Sequence, residues 1–544
     1  LEFRRVLFRS PLTAGVSQLI LSRSIRQGLD ACADILPDVL PDRVRQHHQL
    51  CRIEYAYENI HFPESAEALD LARRRLAFEE LFLFTIGLER LRSRREVVHV
   101  PPCGGVDMEL FYRALPFTLT DAQRRCVEEA LADMRSGTPM NRLCQGDVGS
   151  GKTMVAAACV YFMVKNGRQA ALMAPTEILA QQHYQGLAPL LENLGIRCAL
   201  LTGSTTAKTK RSITQQLESG EIDFAIGTHA LITGSVAYRD LGLVVTDEQH
   251  RFGVAQRAEL AAKGDHPHIL VMSATPIPRT LALILYGDLD VSIIDQLPPG
   301  RQPVQTFAVT GGYHQRVYRF IRKLVGEGRQ AYIVCPMVEE NDQLPDERKA
   351  VTEYAKKLQS EVFPDLKVAF VHGKMKPKEK DAVMAAFAAH ETDILVSTTV
   401  IEVGVDVPNA AVMVIENAER FGLSQLHQLR GRVGRGKHQS YCILISDNRN
   451  EETRQRLKVM TKTTDGFQIA EEDLRLRGPG DFFGARQHGL PGLKVADLGC
   501  DTQLLQEARQ AAEQLLAQDP ALTSCPATAE RVTELFTQQA DALN

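Results

Sequence analysis

The stretch "GDVGSGKT", Gly146 to Thr153, fits the pattern GxxxxGK(S/T) and stands between the short apolar run "RLC" and the helical "MVAAACVYFMV". In that strand–loop–helix setting the pattern makes a phosphate cradle, and a chance Gly-rich turn would lack the setting. Gly146, Gly149 and Gly151 let the backbone N–H groups of the loop, together with those of Asp147, Val148 and Ser150, approach a polyphosphate. The N-terminus of the following helix adds positive potential. Lys152 reaches the β- and γ-phosphates, and the Thr153 hydroxyl is a ligand for Mg²⁺. "LVVTDEQHRFG" supplies a second half. Its apolar run makes a buried strand, with Asp247 and Glu248 at the carboxyl end, where open α/β sheets bind ligands. Asp247 suits Mg²⁺, and Glu248 suits orienting and deprotonating the attacking water. ATP hydrolysis is therefore favoured over nucleotide binding alone. A third stretch, "QLRGRVGR" from Gln428 to Arg435, carries planar, permanently charged guanidinium groups, which stabilise a transferring phosphoryl group. If Arg432 and Arg435 face Lys152 across a cleft, hydrolysis depends on closure between two units, and nucleotide state becomes domain motion.

The elements around these stretches divide the chain. Residues 11–105 read as helical and charged. Within them Ser65 is an N-cap candidate, followed by apolar positions at helical spacing for about eight turns. Arg73, Arg74, Arg75, Arg90, Arg92, Arg94 and Arg95 of that region are expected to form a solvated face. From about residue 115, short buried-strand runs recur, "AALMAPT", "RCALLTG", "FAIGTH", "LGLVVTDE" and "HILVMSAT". Helical stretches separate them, as in a parallel sheet covered on both faces. "DQLPPGRQPVQ" reads as a linker. After it the alternation resumes with "QAYIVCPMV", "LKVAFVHG", "TDILVSTTV" and "AAVMVIEN", and from about residue 450 the pattern is helical again, broken by "RLRGPGDFFGARQHG". The expected class is α/β, with two tandem P-loop-type domains on parallel sheets, a helical linker before them and a helical-hairpin region after. The expected boundaries are 11–105, 106–298, 299–450 and 451–544.

Composition bounds the alternatives. A chain of 544 residues exceeds one hydrophobic core. With 44% hydrophobic and 24% charged residues it has the balance of a soluble globular protein. No apolar run approaches the ~18–20 residues of a membrane span, so a cytoplasmic protein with no membrane partner is expected. The eleven cysteines show no zinc-ligand spacing, which favours reduced thiols. A net charge of −4 excludes a passive basic DNA-coating protein, but not a motor that confines positive charge to one track.

Residues 115–440 resemble the tandem RecA-like core of a superfamily 2 helicase, with the motifs in order. "LPFTLTDAQ" is similar to the adenine-reading motif, which implies Phe117 and Gln123 at the base. "APTEILA", "TG" and "GTHAL" resemble strand-tracking motifs and imply nucleic-acid contacts at Pro175, Thr176, Thr202, Gly203, Thr228 and His229. "DEQH" resembles the Walker B box, and "SATPIPRT" the motif that links hydrolysis to movement. "VHGKM" and "STTVIEVGVDVPNA" continue the order and imply tracking contacts at His372, Gly373 and Thr398, with nucleotide contacts at Gly404 and Asp406. Beyond this core, "DGFQIAEEDLRLRGPGDFFGARQHG" and "HFPES…RRRLAFEELFLF" resemble the hairpin element and the linker of the RecG branch-migration helicases. Arg475, Arg477 and Gln487 are the implied translocation residues. The resemblance implies an ATP- and Mg²⁺-dependent double-stranded DNA translocase, monomeric, bacterial and nucleoid-associated. It would remodel stalled forks and Holliday junctions, with a single-strand DNA-binding protein as a further partner. RNA helicases of the superfamily, which carry "DEAD" or "DEAH" where this chain has "DEQH", are the alternative, followed by a transcription–repair coupling motor and an idle scaffold.

The segment "LEFRRVLFRS", Leu1 to Ser10, has no continuous apolar run of the secretory type. Read back into nucleotides, it resembles a sequencing-library adaptor. "PLTAGVSQ" resembles the segment that follows the OB-fold wedge of RecG-like proteins. The expectation is that Leu1–Ser10 is not native protein and that the wedge is missing, in keeping with the absence of Trp and an aromatic content of 6%.

Overall fold

The computed structural model describes residues 18–32, 35–93, 98–247, 254–274, 289–298, 302–336, 347–373, 375–398, 407–436, 438–477, 493–497 and 501–540. Leu1–Ser10, Glu248, Gly404, Asp406, Gln487 and the Arg477 side chain lie outside that set. The chain forms two compact units. One holds the residues up to 96 together with those from 477 on, and the other holds residues 97–278 and 288–476.

The first unit is helical. Its longest element, Ala66–Ser93, starts where Ser65 Oγ accepts the N–H of Ala68 at 3.1 Å, the cap read from the sequence. Leu69, Ala72 and Leu76 recur at helical spacing and pack on Ile53, Ala56 and Ile60 of helix Ile53–His61. The same long helix receives the C-terminal residues. Glu80 accepts the N–H groups of Lys494, Val495 and Ala496 at 2.6–2.9 Å, and Arg73 makes a two-pronged bond to Asp501 at 2.9 and 2.7 Å. One expectation fails here. Arg75 is not on a solvated face: it is fully buried, with Asp38 and Glu79 each 2.5 Å from its guanidinium. The helical spacing that places Leu69, Ala72 and Leu76 inward carries Arg75 in with them, and two carboxylates compensate its charge.

The second unit contains two parallel sheets. The first has strands β1 (Asn141–Gly146), β2 (Gln169–Met173), β3 (Cys198–Leu201), β4 (Phe224–Gly227), β5 (Leu241–Asp247), β6 (His268–Ser273) and β7 (Asp290–Ile294), in the order β3-β4-β2-β5-β6-β1-β7. The second has β8 (Gln305–Val309), β9 (Gln330–Val334), β10 (Val368–Val371), β11 (Ile394–Ser397), β12 (Ala410–Ile415) and β13 (Tyr441–Ile445), in the order β10-β11-β9-β12-β13-β8. Among the described residues all strand pairs are parallel. The central strands are apolar on both faces because helices cover both, as parallel sheets require. Helix Lys152–Lys165 is buried on nearly every side, from Val155 to Met163, and lies in the core of the first sheet with Leu172, Leu243 and Leu270.

Parallel pairing puts every carboxyl end of a sheet on one edge. On the first sheet that edge carries the phosphate loop after β1, the segment after β2, the turns after β3 and β4, and Asp247 at the end of β5. β6 stands between β5 and β1, and the register pairs Asp247 with Met272 and Gln145 with Ser273. The topology alone thus sets Asp247 two strands away from the loop.

Candidate active site

The phosphate loop leaves β1 at Gly146 and enters helix Lys152–Lys165 through Gly151, which has a left-handed φ of 84°. Glycine tolerates that conformation without penalty. A Cβ at Gly151 would also meet Gln123 Nε2 at 2.2 Å, so both backbone and space demand glycine there. No side chain caps the helix N-terminus, which leaves its positive end to a ligand. Lys152 is buried and donates to the carbonyls of Gly146 and Asp147 at 2.8 and 2.9 Å. A lysine held on its own loop's carbonyls, a glycine that clears the approach and an uncapped helix start are a donor set that fits a polyphosphate. Thr153, the next residue, is half-buried.

Gln123 is only 2% exposed, and both ends of its amide meet the protein. Its Oε1 accepts the N–H of Thr120 at 2.9 Å, closing a capping box on helix Asp121–Arg135, and its Nε2 donates to Ser150 O at 2.8 Å. It thereby ties helix Asp121–Arg135 to the phosphate loop. Phe117 is half-exposed on a cavity of about 290 Å³ that Tyr112, Leu119 and Arg124 also line.

Asp247 is mostly buried, and His183 Nε2 lies 2.8 Å from its Oδ2. His183 belongs to helix Glu177–Glu192, whose N-cap is Thr176. The tracking candidates cluster along the same edge. Thr176 accepts from Leu179 N–H, Ser204 N–H donates to Glu177 Oε1 at 3.0 Å, and a Cβ on Gly203 would come within 2.8 Å of that carboxylate. Pro175 precedes the cap, Thr202 and Thr228 are buried, and His229 opens a short 3₁₀ turn after β4. On the second sheet, His372 and Gly373 follow β10 and Thr398 follows its neighbour β11.

The second sheet also brings its arginine segment to the loop. Helix Leu423–Arg430 ends in Gly431, where a Cβ would sit 2.9 Å from Val148 Cβ. His427, unremarked in the sequence although it directly precedes Gln428, places Nε2 2.6 Å from Asp147 Oδ1. Burial pushes the Asp147 carboxyl up, but the His427 hydrogen bond, the Val148 N–H and Lys152 outweigh it, and the group sits below the usual carboxylate range. Gln428 is half-buried, Arg432 is buried, and Arg435 donates to Gly431 O at 3.1 Å. Arg475 lies on the exposed side of helix Gly466–Arg477 and pairs with Glu472 at 2.7 Å.

Two α/β units with a phosphate loop on one and an arginine segment of the other packed on that loop define the class: the tandem-domain core of a helicase. Family models agree in order along the chain. The DEAD/DEAH box helicase model matches residues 120–284, the helicase conserved C-terminal domain matches 314–437, and the C-terminal model of domain 3 of the ATP-dependent DNA helicase RecG matches 463–535. The ATP-dependent DNA helicase RecG of Synechocystis sp. is 51% identical over 96% of this chain and 63% of its own length. That of Bacillus subtilis is 49% identical over 93% of this chain and 74% of its own. A solved structure of RecG bound to a three-way DNA junction superposes with a TM-score of 0.71 at 46% identity, covering 93% of this chain and 66% of that one. The chain belongs to the RecG family. It spans slightly under two thirds of the length of the Synechocystis relative.

Proposed function

We propose that this chain is an ATP-driven motor that translocates on double-stranded DNA and remodels branched DNA, as at stalled forks and Holliday junctions. The observation that carries the reading is the seating of Gly431 and His427 on Val148 and Asp147. That contact makes the phosphate loop sense the second α/β unit, as a motor requires. A relative solved with a three-way DNA junction supports the choice of branched DNA. Lys152 and the loop N–H groups bind the phosphates, Phe117 and Gln123 lie on the base side, and Gly404 and Asp406 add nucleotide contacts. Thr153 and Asp247 would hold Mg²⁺, which would neutralise phosphate charge there. Glu248 orients the attacking water and accepts its proton. Gln428, Arg432 and Arg435 supply the second unit's contribution to the phosphates. Pro175, Thr176, Thr202, Gly203, Thr228, His229, His372, Gly373 and Thr398 form the track, and Arg475, Arg477 and Gln487 pull on the duplex. The protein acts as a monomer in the bacterial cytoplasm, at the nucleoid, with a single-strand DNA-binding protein as partner.

The test is the ATPase rate of this chain with no effector, linear duplex, a model fork and single-stranded RNA. Stimulation by the duplex forms supports the reading. Stimulation by single-stranded RNA alone would replace it with an RNA helicase.

A further inference from the structure

The side chains that join the phosphate loop to the second sheet continue beyond it. His427 Nδ1 lies 3.0 Å from Arg430 Nη2. A guanidinium only donates, so Nδ1 must accept, which fixes the neutral tautomer and makes Nε2–H the donor to Asp147 Oδ1. Arg430 directs three further N–H groups at Met460 O and Thr463 O, both at 2.9 Å, and at Thr464 O at 3.3 Å. These carbonyls lie in the last turn of helix Glu451–Lys462 and in the connection from it to helix Gly466–Arg477. At its other end, helix Leu423–Arg430 is fastened to the second of those helices by Ser424 Oγ, which donates to Asp473 Oδ2 at 2.9 Å. Arg430 and His427 are 3% and 4% exposed, so water does not compete for these bonds.

We propose that Asp147, His427 and Arg430 form a directional hydrogen-bond relay from the phosphate loop to the turn of the helical hairpin, with His427 and Arg430 as positioning residues that report nucleotide occupancy to that hairpin. The proposal rests on the ATP-driven motor reading. Lys152 holds the backbone carbonyl of Asp147, the same residue whose carboxylate holds His427. Recruiting Lys152 to a polyphosphate therefore alters the footing of Asp147. A cavity of about 80 Å³ lined by Asp147, His427, Arg430 and Thr464 flanks the relay and leaves room for its members to shift. With both ends of helix Leu423–Arg430 attached to the hairpin, a shift at Asp147 moves turn and helix together.

The test uses the full chain, Mg²⁺ with a non-hydrolysable ATP analogue, and amide hydrogen exchange over residues 458–468. Binding of the analogue is followed separately by displacement of a fluorescent nucleotide. The relay predicts that the analogue changes exchange at the turn. In His427→Ala that nucleotide-dependent difference falls about fivefold or more, while the analogue still binds. A packing role alone would lower the melting temperature and leave the difference intact. Arg430→Lys, which keeps the charge but cannot reach His427 and two carbonyls at once, loses the difference too, and it carries the test if His427→Ala fails to fold. A wild-type chain that binds the analogue without any change at the turn overturns the relay, as does a full difference in either variant. A wild-type chain that binds no nucleotide overturns the motor reading, and the relay with it.

Discussion

Gly431→Ala isolates the contact between the phosphate loop and the second sheet. The backbone there, φ −66° and ψ −9°, suits alanine as well as glycine, so the substitution stores no strain in the chain itself. The space does not suit it. The new methyl would lie 2.9 Å from Val148 Cβ and 3.0 and 3.1 Å from its two methyl carbons, each short of the ~3.5–4.0 Å optimum. Val148 is 7% exposed and has little room to yield, so the arginine segment must retreat by a few tenths of an ångström or more. Overpacking of this kind costs about 1–3 kcal/mol, and if it falls on the closed, hydrolysing arrangement kcat/KM for ATP drops about 5- to 150-fold. Neither sheet loses a core contact, so the melting temperature stays within about 2 °C of wild type. Val148→Ala removes both methyl groups but keeps the Cβ 2.9 Å away, so the double variant should recover part of the loss and not all of it. DNA-stimulated ATPase kinetics on the four proteins of this cycle, with thermal melts alongside, make the test. Unchanged kcat/KM in Gly431→Ala, or purely additive effects in the double variant, would refute the reasoning.

Three other outcomes are expected. Arg75→Met leaves Glu79 and Asp38 without their buried cation and destabilises the helical unit by about 3–5 kcal/mol, read by denaturant titration of far-UV CD; a loss under about 1 kcal/mol would mean that the carboxylates repack at no cost. His268 is fully buried, its Nδ1 accepts Met140 N–H at 2.9 Å, and burial lowers its pKa from 6.5 to about 4. The neutral form is the folded one, so its stability contribution is complete above pH 6.5 and declines as pH falls toward 4, by about 3 kcal/mol in all; if His268→Asn, which keeps an acceptor, melts with the same pH slope as wild type over that window, another group is responsible. Glu248→Gln retains ATP binding and slows hydrolysis roughly 10²–10⁴-fold, and equal kcat in the two forms would remove Glu248 as the base.

The parts of the fold legible in sequence were those with strong periodicity. β2 to β6 and β9 to β12 announce themselves as short apolar runs between helical stretches, and Ser65 marks the start of its helix. β7 and β8 do not stand out. β7 reads "DVSII" and β8 "QTFAV", and both are edge strands of their sheets, where one exposed side relaxes the demand for a continuous apolar run. At the candidate site, the loop from Gly146 to Thr153 and the carboxylate of Asp247 follow from spacing, because phosphate chemistry dictates residue types locally. His427, Arg430 and His183 escape such reasoning because each acts through a partner distant in sequence, Asp147, Thr463 and Asp247 respectively. The burial of Arg75 escapes it for the same reason, since Asp38 lies 37 positions away.

The most direct test of the motor account is displacement of a third DNA strand annealed to a duplex, measured for this chain with ATP and Mg²⁺. The account predicts strand displacement that requires ATP, is absent with ADP, and is lost in Lys152→Ala along with about 10²–10³-fold in hydrolysis. Duplex binding and ATP hydrolysis without any displacement would contradict it.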